Sequence, residues 1–507
     1  MKISPPMQPF IRALVFLWCS LGASLASERP ADDRPNVIFV LTDDLGWGDL
    51  GFAGHPYVRT PRIDRLAAEG TVISNFYVNS TVCSPSRAAF MTGRYPARLG
   101  FHHITSSLEV NKRRKVPDWL DPDVTTVADV FKRAGYATAH FGKWHLGKYG
   151  ASPKPEAYGF DHAAVQSGPG ETLARYHEND PAAQAKAPED PQSRLTQYAF
   201  DAGLDFIRAH RQRPFYLNLW SPLPHAPLRL TARQLEPYRD LVPRPEDPAF
   251  APWMREYMKS APHLAEQMRM HLAAVTEVDK NVGRLMETLR ELGIDQRTLV
   301  VFSSDNGPED FYIGNAANAG LGSAGPFRGR KRSLYEGGTR VPFIARWPGR
   351  VPAGRVDRDT LLSGIDFLPT VAALAGITYA DPGIDGEDLS AALRGSVVLR
   401  KKPLFWEWFF EVVGKREYLP PPLAVRDGPW KLYTDYAGGA VELYDLARDP
   451  AETSNLAAQA PAVVDRLKPA VLAWMKTLPP AEYRDAVAQG ADRMKLLDIR
   501  KPTDREP

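Results

Sequence analysis

Cysteine is nearly absent from this chain of 507 residues, which holds only Cys19 and Cys83. A disulfide-stapled scaffold is thereby excluded. Long apolar runs are also missing. The longest, "ALVFLWCSLGASLA" near the start, is too short for a stable bilayer-spanning helix, so no membrane span is expected. Excess charge of one sign is lacking too: 63 basic residues face 60 acidic ones. General attraction to polyanions is excluded, no nucleic-acid partner is expected, and any anion must be recognised locally. There is no internal repeat and no low-complexity tract.

What is present begins with an export signal over residues 1–26. Lys2 and Arg12 supply positive charge, the apolar run follows, and "SLA" precedes Ser27 as a peptidase site requires. A lipid-anchored Cys19 is the rival, disfavoured by the bulky Trp18 before it. The expected location is periplasmic or secreted. Cleavage leaves a nearly neutral chain in which Cys83 is alone. Export would permit a disulfide, but one cysteine forms none internally. Cys83 is then an inert buried residue, which composition alone favours, or it is there for chemistry.

Further along, "NVIFVLTDD", "ATAHFGKWHLG", "FYLNLW" and "TLVVFSSDNG" read as strands, the continuous apolar ones as strands buried on both faces. "RIDRLAAEGTV", "TTVADVFKRAGY" and "DFLPTVAALAG" read as helices, the last capped by Asp366. The clearest helix runs to Gly293, with Leu272, Val275, Val278, Val282, Leu285 and Leu289 at helical spacing. Alternating strands and helices predict an α/β domain on a largely parallel sheet over residues 27–395. "PLFWEWFF", "LAVRDGPWKLYT" and "AVELYDL" predict a smaller antiparallel sheet with one helix over residues 396–480. Residues 481–507 read as a charged surface tail. The proline-rich regions 150–200 and 226–265 are expected to wall a pocket.

In open α/β sheets, ligands bind beyond the carboxyl ends of the strands. Four strands here end in reactive groups: Asp43 and Asp44, Lys143 and His145, His225, and Asp305 and Asn306. Oxygen ligands of this kind suit a hard divalent cation, whereas zinc more often takes histidine or cysteine. A strand-end turn is the bland reading of Asp43–Asp44, but adjacent carboxylates repel unless a cation lies between them. The Gly- and Arg-rich loop around Lys331 could meet an anion.

The blocks "CSPSRAAFMTGR", "TDDLGWGDLG", "HFGKWHLG", "SDNG" and "GRKRSLYEGGTRVP" resemble, in content and order, those of type I sulfatases. The resemblance covers roughly residues 36–460. It implies an alkaline-phosphatase-like α/β domain with a smaller C-terminal sheet. It implies that a formylglycine-generating enzyme, reading Pro85 and Arg87, oxidises Cys83 to the aldehyde 3-oxoalanine (formylglycine). Asp43, Asp44, Asp305 and Asn306 match the ligands of one Ca²⁺, with residue 83 also near the metal. Arg87, Lys143, His145, His225 and Lys331 match the active-site cations and acid–base groups. The implied chemistry needs a hydrated aldehyde. One oxygen attacks sulfur, and deprotonation of the other expels sulfate, which a serine could not do.

The expected substrate is a sulfated small molecule or glycan. The rivals are a phosphatase or phosphonate monoester hydrolase of the same superfamily, and a sulfoglycan-binding protein that has lost catalysis. His102 and His103 read as exposed loop residues or substrate contacts, Glu336 as a loop brace, and Trp406 and Trp408 as core rather than a sugar platform.

Overall fold

The computed structural model describes Met1 and residues 34–147, 152–166, 191–228, 230–313, 321–408, 410, 415–481 and 483–484. The expected export signal and nearly all of the tail lie outside them.

One sheet holds β1 (Asn36–Thr42), β2 (Thr71–Tyr77), β3 (Ala137–Lys143), β4 (His162–Gln166), β5 (Phe215–Trp220), β6 (Thr298–Ser304), β7 (Phe343–Arg346) and β8 (Arg355–Ser363). Their order is β4-β3-β5-β1-β6-β7-β2-β8. All pairings are parallel except those of β7, which runs against β6 and β2. The sheet is therefore largely parallel, as the alternation of elements predicts.

β1 shows why its sequence is apolar without alternation. Successive side chains point to opposite faces. Ile38 and Val40 enter one apolar layer, while Val37, Phe39 and Leu41 enter the other. The helix Leu264–Glu291 lays its periodic face, from Leu272 to Leu289, on the first layer. The helices Cys83–Thr92, Val127–Arg133 and Phe367–Leu374 cover the second. The helix Pro191–His210 also packs on the first layer through Leu195, Ala199, Phe200 and Ile207. Its start belongs to the core and not to a pocket wall, because its apolar residues recur at helical spacing.

A second, antiparallel sheet has the order β12-β11-β10-β9, from β9 (Leu404–Glu407), β10 (Leu423–Asp427), β11 (Trp430–Thr434) and β12 (Val441–Asp445). The helix Pro461–Lys476 packs on it. Trp406 and Trp408 are each 1% exposed, and Trp406 Nε1 donates to the Val78 carbonyl at 2.8 Å, so both are core. Asp366 makes no cap bond to the helix that follows it. Its carboxylate accepts from the amides of Ser363 and Glu387, each at 2.8 Å, and pairs with Arg400. Among the described residues, no helix is long and apolar enough to cross a membrane.

Candidate active site

β3, β5, β1 and β6 are adjacent and parallel, so their carboxyl ends share one edge of the sheet. Asp43 and Asp44 follow β1, Lys143 ends β3, and Asp305 and Asn306 follow β6. Close packing of backbone sets these positions. A Cβ on Gly142, beside Lys143, would lie 2.0 Å from the Trp220 carbonyl oxygen. A Cβ on Gly307 would lie 1.9 Å from that of Gly337, so glycine alone lets the Asn306 turn meet the loop after Lys331. Cys83 opens the buried helix Cys83–Thr92 against this edge.

One ligand atom from each of Asp43, Asp44, Cys83 and Asp305 lies within 4.8 Å of the others. Arg87 is fully buried and places Nε and Nη2 at 2.9 and 2.6 Å from Asp305 Oδ2. Its Nη2 is 3.5 Å from Asp43, its Nη1 donates to the Lys143 carbonyl at 2.8 Å, and Trp220 lies 5.1 Å below the guanidinium. Arg87 is therefore a buried part of the site and not a helix-surface arginine. Lys143 Nζ pairs with Asp43. Lys331 Nζ pairs with Asp44 at 2.7 Å and with Glu309 at 3.4 Å.

The two histidines have assignable tautomers. His145 Nε2 lies 3.2 Å from the Thr105 carbonyl, so it carries the proton, and the buried Nδ1 has no partner. His225 Nδ1 faces the Ala226 carbonyl at 2.5 Å, which leaves Nε2 toward the site, 3.8 Å from Asp44. Burial lowers both pKa values. The charges of Lys143 and Arg87 add to the effect at His145, and that of Lys331 at His225. Both imidazoles are neutral near pH 7.

Burial, reinforced by Asp43, raises the Cys83 pKa far above the usual thiol range. The thiol stays protonated, 3.4 Å from Asp43 Oδ1, and is a poor nucleophile. Burial also raises Asp43, but Lys143, His225 and Arg87 outweigh it and hold this carboxyl well below its ordinary value. At Asp305, burial and then Asp43 raise the pKa to about 7. Such crowded carboxylates are what a bound cation relieves.

The donor set fits a hard cation. Asn306 gives its amide hydrogens to Asp44 Oδ1 at 2.6 Å and the Gly307 carbonyl at 2.9 Å. Its Oδ1 is consequently an acceptor, buried and without a partner. Three carboxylates and an orphaned amide oxygen match calcium or magnesium better than zinc.

The fold thus brings together every residue singled out for the site. It also adds Glu309, buried between Lys331 and Arg332. An acid three residues after Asn306 was the available signal. Thr105 carried no sequence signal at all. His102 and His103 are 9% and 6% exposed, not loop-surface residues, because Tyr483 contacts one and Trp408 and Phe410 enclose the other.

A family model described as Sulfatase matches residues 35–377. Another, N-sulphoglucosamine sulphohydrolase, C-terminal, matches residues 325–476. Human arylsulfatase A is 32% identical over 504 residues, 89% of this chain and 89% of that protein. N-acetylgalactosamine-6-sulfatase of the dog, Canis lupus familiaris, is 35% identical over 408 residues, 76% of this chain and 71% of the other. A crystallised sulfatase from Pseudoalteromonas sp. superposes with a TM-score of 0.64 at 26% identity, over 89% of this chain and 92% of that one. A structure solved with a neocarrahexaose shares the fold at 23% identity, with a TM-score of 0.68 over 93% and 99% of the two chains. The match over more than half the chain, together with relatives above 30% identity across most of their length, shows that this protein belongs to the sulfatase family of sulfuric ester hydrolases.

Proposed function

We propose that this protein removes sulfate from sulfated carbohydrates, with Cys83 matured to formylglycine and one calcium ion held by Asp43, Asp44, Asp305 and Asn306. One observation carries the reading: a protonated, buried thiol stands among hard oxygen ligands and three buried cations. A thiol is ill suited to that company, whereas an oxygen-bearing residue at the same position suits it. The carbohydrate class rests on the relative named for N-acetylgalactosamine 6-sulfate.

Calcium, when bound, supplies a Lewis acid and a template for sulfate oxygens. Formylglycine, as its hydrate, supplies one oxygen to attack sulfur and a second whose deprotonation frees sulfate. The remaining work falls to the chain's own side chains. Arg87, locked by Asp305 and the Lys143 carbonyl, orients residue 83. Lys143 and Lys331 neutralise charge that grows on the sulfuryl oxygens. His145 accepts the hydrate proton at Nδ1, the atom left without a partner. His225, neutral before substrate binds, takes a proton on Nε2 as the negative sulfate enters and then, with Lys331, passes it to the leaving alcohol oxygen.

Cys83 and Arg87 are 1% and 0% exposed, so a formylglycine-generating enzyme has to act before the chain folds. Export to the periplasm or medium is part of the same proposal, as is a division into a catalytic unit to residue 395 and a smaller unit over 396–480.

The test is peptide mass spectrometry of active protein, with residue 83 expected about 18 Da lighter than cysteine. Sulfate release from sulfated mono- and oligosaccharides is measured beside phosphate analogues. An active preparation holding only unmodified cysteine, or faster turnover of the phosphates, would overturn the reading.

A further inference from the structure

Arg332 follows Lys331 directly and takes no part in the chemistry above. Its backbone sits at φ 71°, in the left-handed region that side chains with a Cβ rarely adopt. Its amide donates to the Thr81 carbonyl at 3.0 Å, which pins it two residues before Cys83. This backbone turn lets two consecutive cations reach one carboxylate: Lys331 Nζ is 3.4 Å from Glu309, and Arg332 holds the same group through both terminal nitrogens.

Exposure separates Arg332 from its neighbours. The side chains of Arg87, Lys331 and Lys143 are 0%, 3% and 7% exposed, and that of Arg332 is 14%. It is the most exposed cation of this group. Glu309 engages only its terminal nitrogens, and its Nε–H has no partner among the described residues.

A second donor stands on the segment that flanks the same turn, where the Thr105 amide donates to Ser84 Oγ at 3.1 Å. His103 is 6% exposed, its ring stacked near Trp408 at 5.7 Å and edge-on to Phe410 at 4.2 Å. Its Nδ1 accepts from the Ile104 amide at 2.8 Å, so Nε2 carries the hydrogen, which has no partner among the described residues. After burial, the charges that act most on His103 are Arg114 and Arg332, followed by His145. The charge of Arg332 thus reaches a buried donor that is unspent among the described residues.

We infer that Arg332 and His103 form a second anion subsite at the mouth of the sulfate site. It takes a carboxylate or a second sulfate on the sugar that bears the reacting ester, or on the sugar next to it. The inference rests on the sulfated-carbohydrate reading and narrows it to substrates with two negative groups. Charge-assisted bonds from the guanidinium and the imidazole N–H supply the preference. Arg332 recognises substrate here and takes no part in bond breaking.

Binding is measured on the Cys83→Ala chain in calcium, so that it does not depend on turnover. Calorimetry compares three probes: a monosulfated hexosamine, its disulfated analogue, and the monosulfated hexosamine joined to a uronic acid. The doubly charged sugars are expected to bind roughly tenfold tighter or better. Arg332→Gln should remove most of that gap, His103→Gln part of it, and Arg332→Lys should keep some. The disulfated and uronate probes separate a sulfate-selective from a carboxylate-selective subsite, and tighter binding of either supports it. Equal affinity for all three sugars in the parent overturns the inference. So does a uniform loss on all three in Arg332→Gln, the mark of a mere brace for Glu309 and Lys331. A preference present in binding while matured enzyme hydrolyses none of the probes would sustain the subsite and refute the sulfatase substrate class.

Discussion

Two clusters of buried charge stand about the loop of residues 331–340, and they are built oppositely. At the joint with the second sheet, Glu336 accepts from Tyr77 Oη at 2.5 Å, Lys431 at 2.8 Å, Arg340 at 3.3 Å and Arg426 at 3.4 Å. Glu452 accepts from Tyr433 and from the Glu336 amide at 2.7 Å. Each acid there is saturated with donors. At the strand ends, Asp43, Asp44 and Asp305 crowd together, while Asn306 Oδ1 and His145 Nδ1 have no hydrogen-bond partner among the described residues. A saturated buried network holds structure; one with orphaned atoms is shaped for something that arrives later. The expectation that Glu336 braces its loop agrees with this geometry, and the brace is anchored in the second sheet.

The sharpest break between the clusters concerns activity. Cys83→Ala should lower sulfate release by roughly 10⁴-fold or more, judged by the loss of other covalent nucleophiles. Its melting temperature should stay near that of the parent. A large loss of stability with residual turnover would reverse the roles assigned to the two clusters.

Glu336→Gln should behave in the opposite way. It removes the carboxylate that Lys431, Arg426 and Arg340 share, leaving Lys431 only Glu452 at 4.0 Å, and should cost about 3–5 kcal/mol. Denaturant unfolding reads this directly. Turnover per folded molecule should fall far less than in Cys83→Ala.

Calcium offers a smaller effect with a readout independent of turnover. In the Cys83→Ala chain, calcium at a hundred times its dissociation constant should stabilise by about 2.7 kcal/mol. Asn306→Ala should weaken that protection by about 1.4 kcal/mol for each tenfold loss of affinity. Equal protection in both chains would remove Asn306 from the ligand set.

The smallest effect is a pH slope from the joint. Burial, with the nearby charge of Glu336, raises Glu452 from its ordinary 4.5 to about 7, and Lys431 only partly offsets this. Between these values the folded chain holds a proton that the unfolded chain releases. The contribution is therefore fully present below pH 4.5 and lost as pH rises through 7. In saturating calcium, Glu452→Gln should flatten this fall by at most about 1.4 kcal/mol per pH unit. An unchanged slope would show that Glu452 is ionised throughout.

Four strands, β1, β3, β5 and β6, were legible, three of them from continuous apolar runs, and their polar ends named the ligands and cations; β2 and β7 are buried as well but were not read as strands. The edge strand β8 was not legible: its first residues are partly solvated and mix Arg355, Asp357 and Arg358 with valine and threonine. The helix Pro191–His210 hid behind a proline-rich, charged stretch that reads as loop. Glu309 and Thr105 were missed for another reason. Each is ordinary in its own segment and matters only for what folds against it.

What the sequence determined by itself is the chemistry available: one cysteine within the sulfatase-like blocks, hard oxygen donors at strand ends, and lysines and an arginine within recognisable blocks. Covalent identity and local spacing suffice for that. Tertiary structure alone decided that Arg87 is buried on Asp305, that the Cys83 thiol is held protonated, that Asn306 and His145 keep one atom each unspent among the described residues, and that Arg332 is the most exposed of the site's cations. Those properties depend on burial and on which distant groups meet. Asp43 and Asp305 lie 262 residues apart in sequence, yet each offers an atom within 4.8 Å of the other.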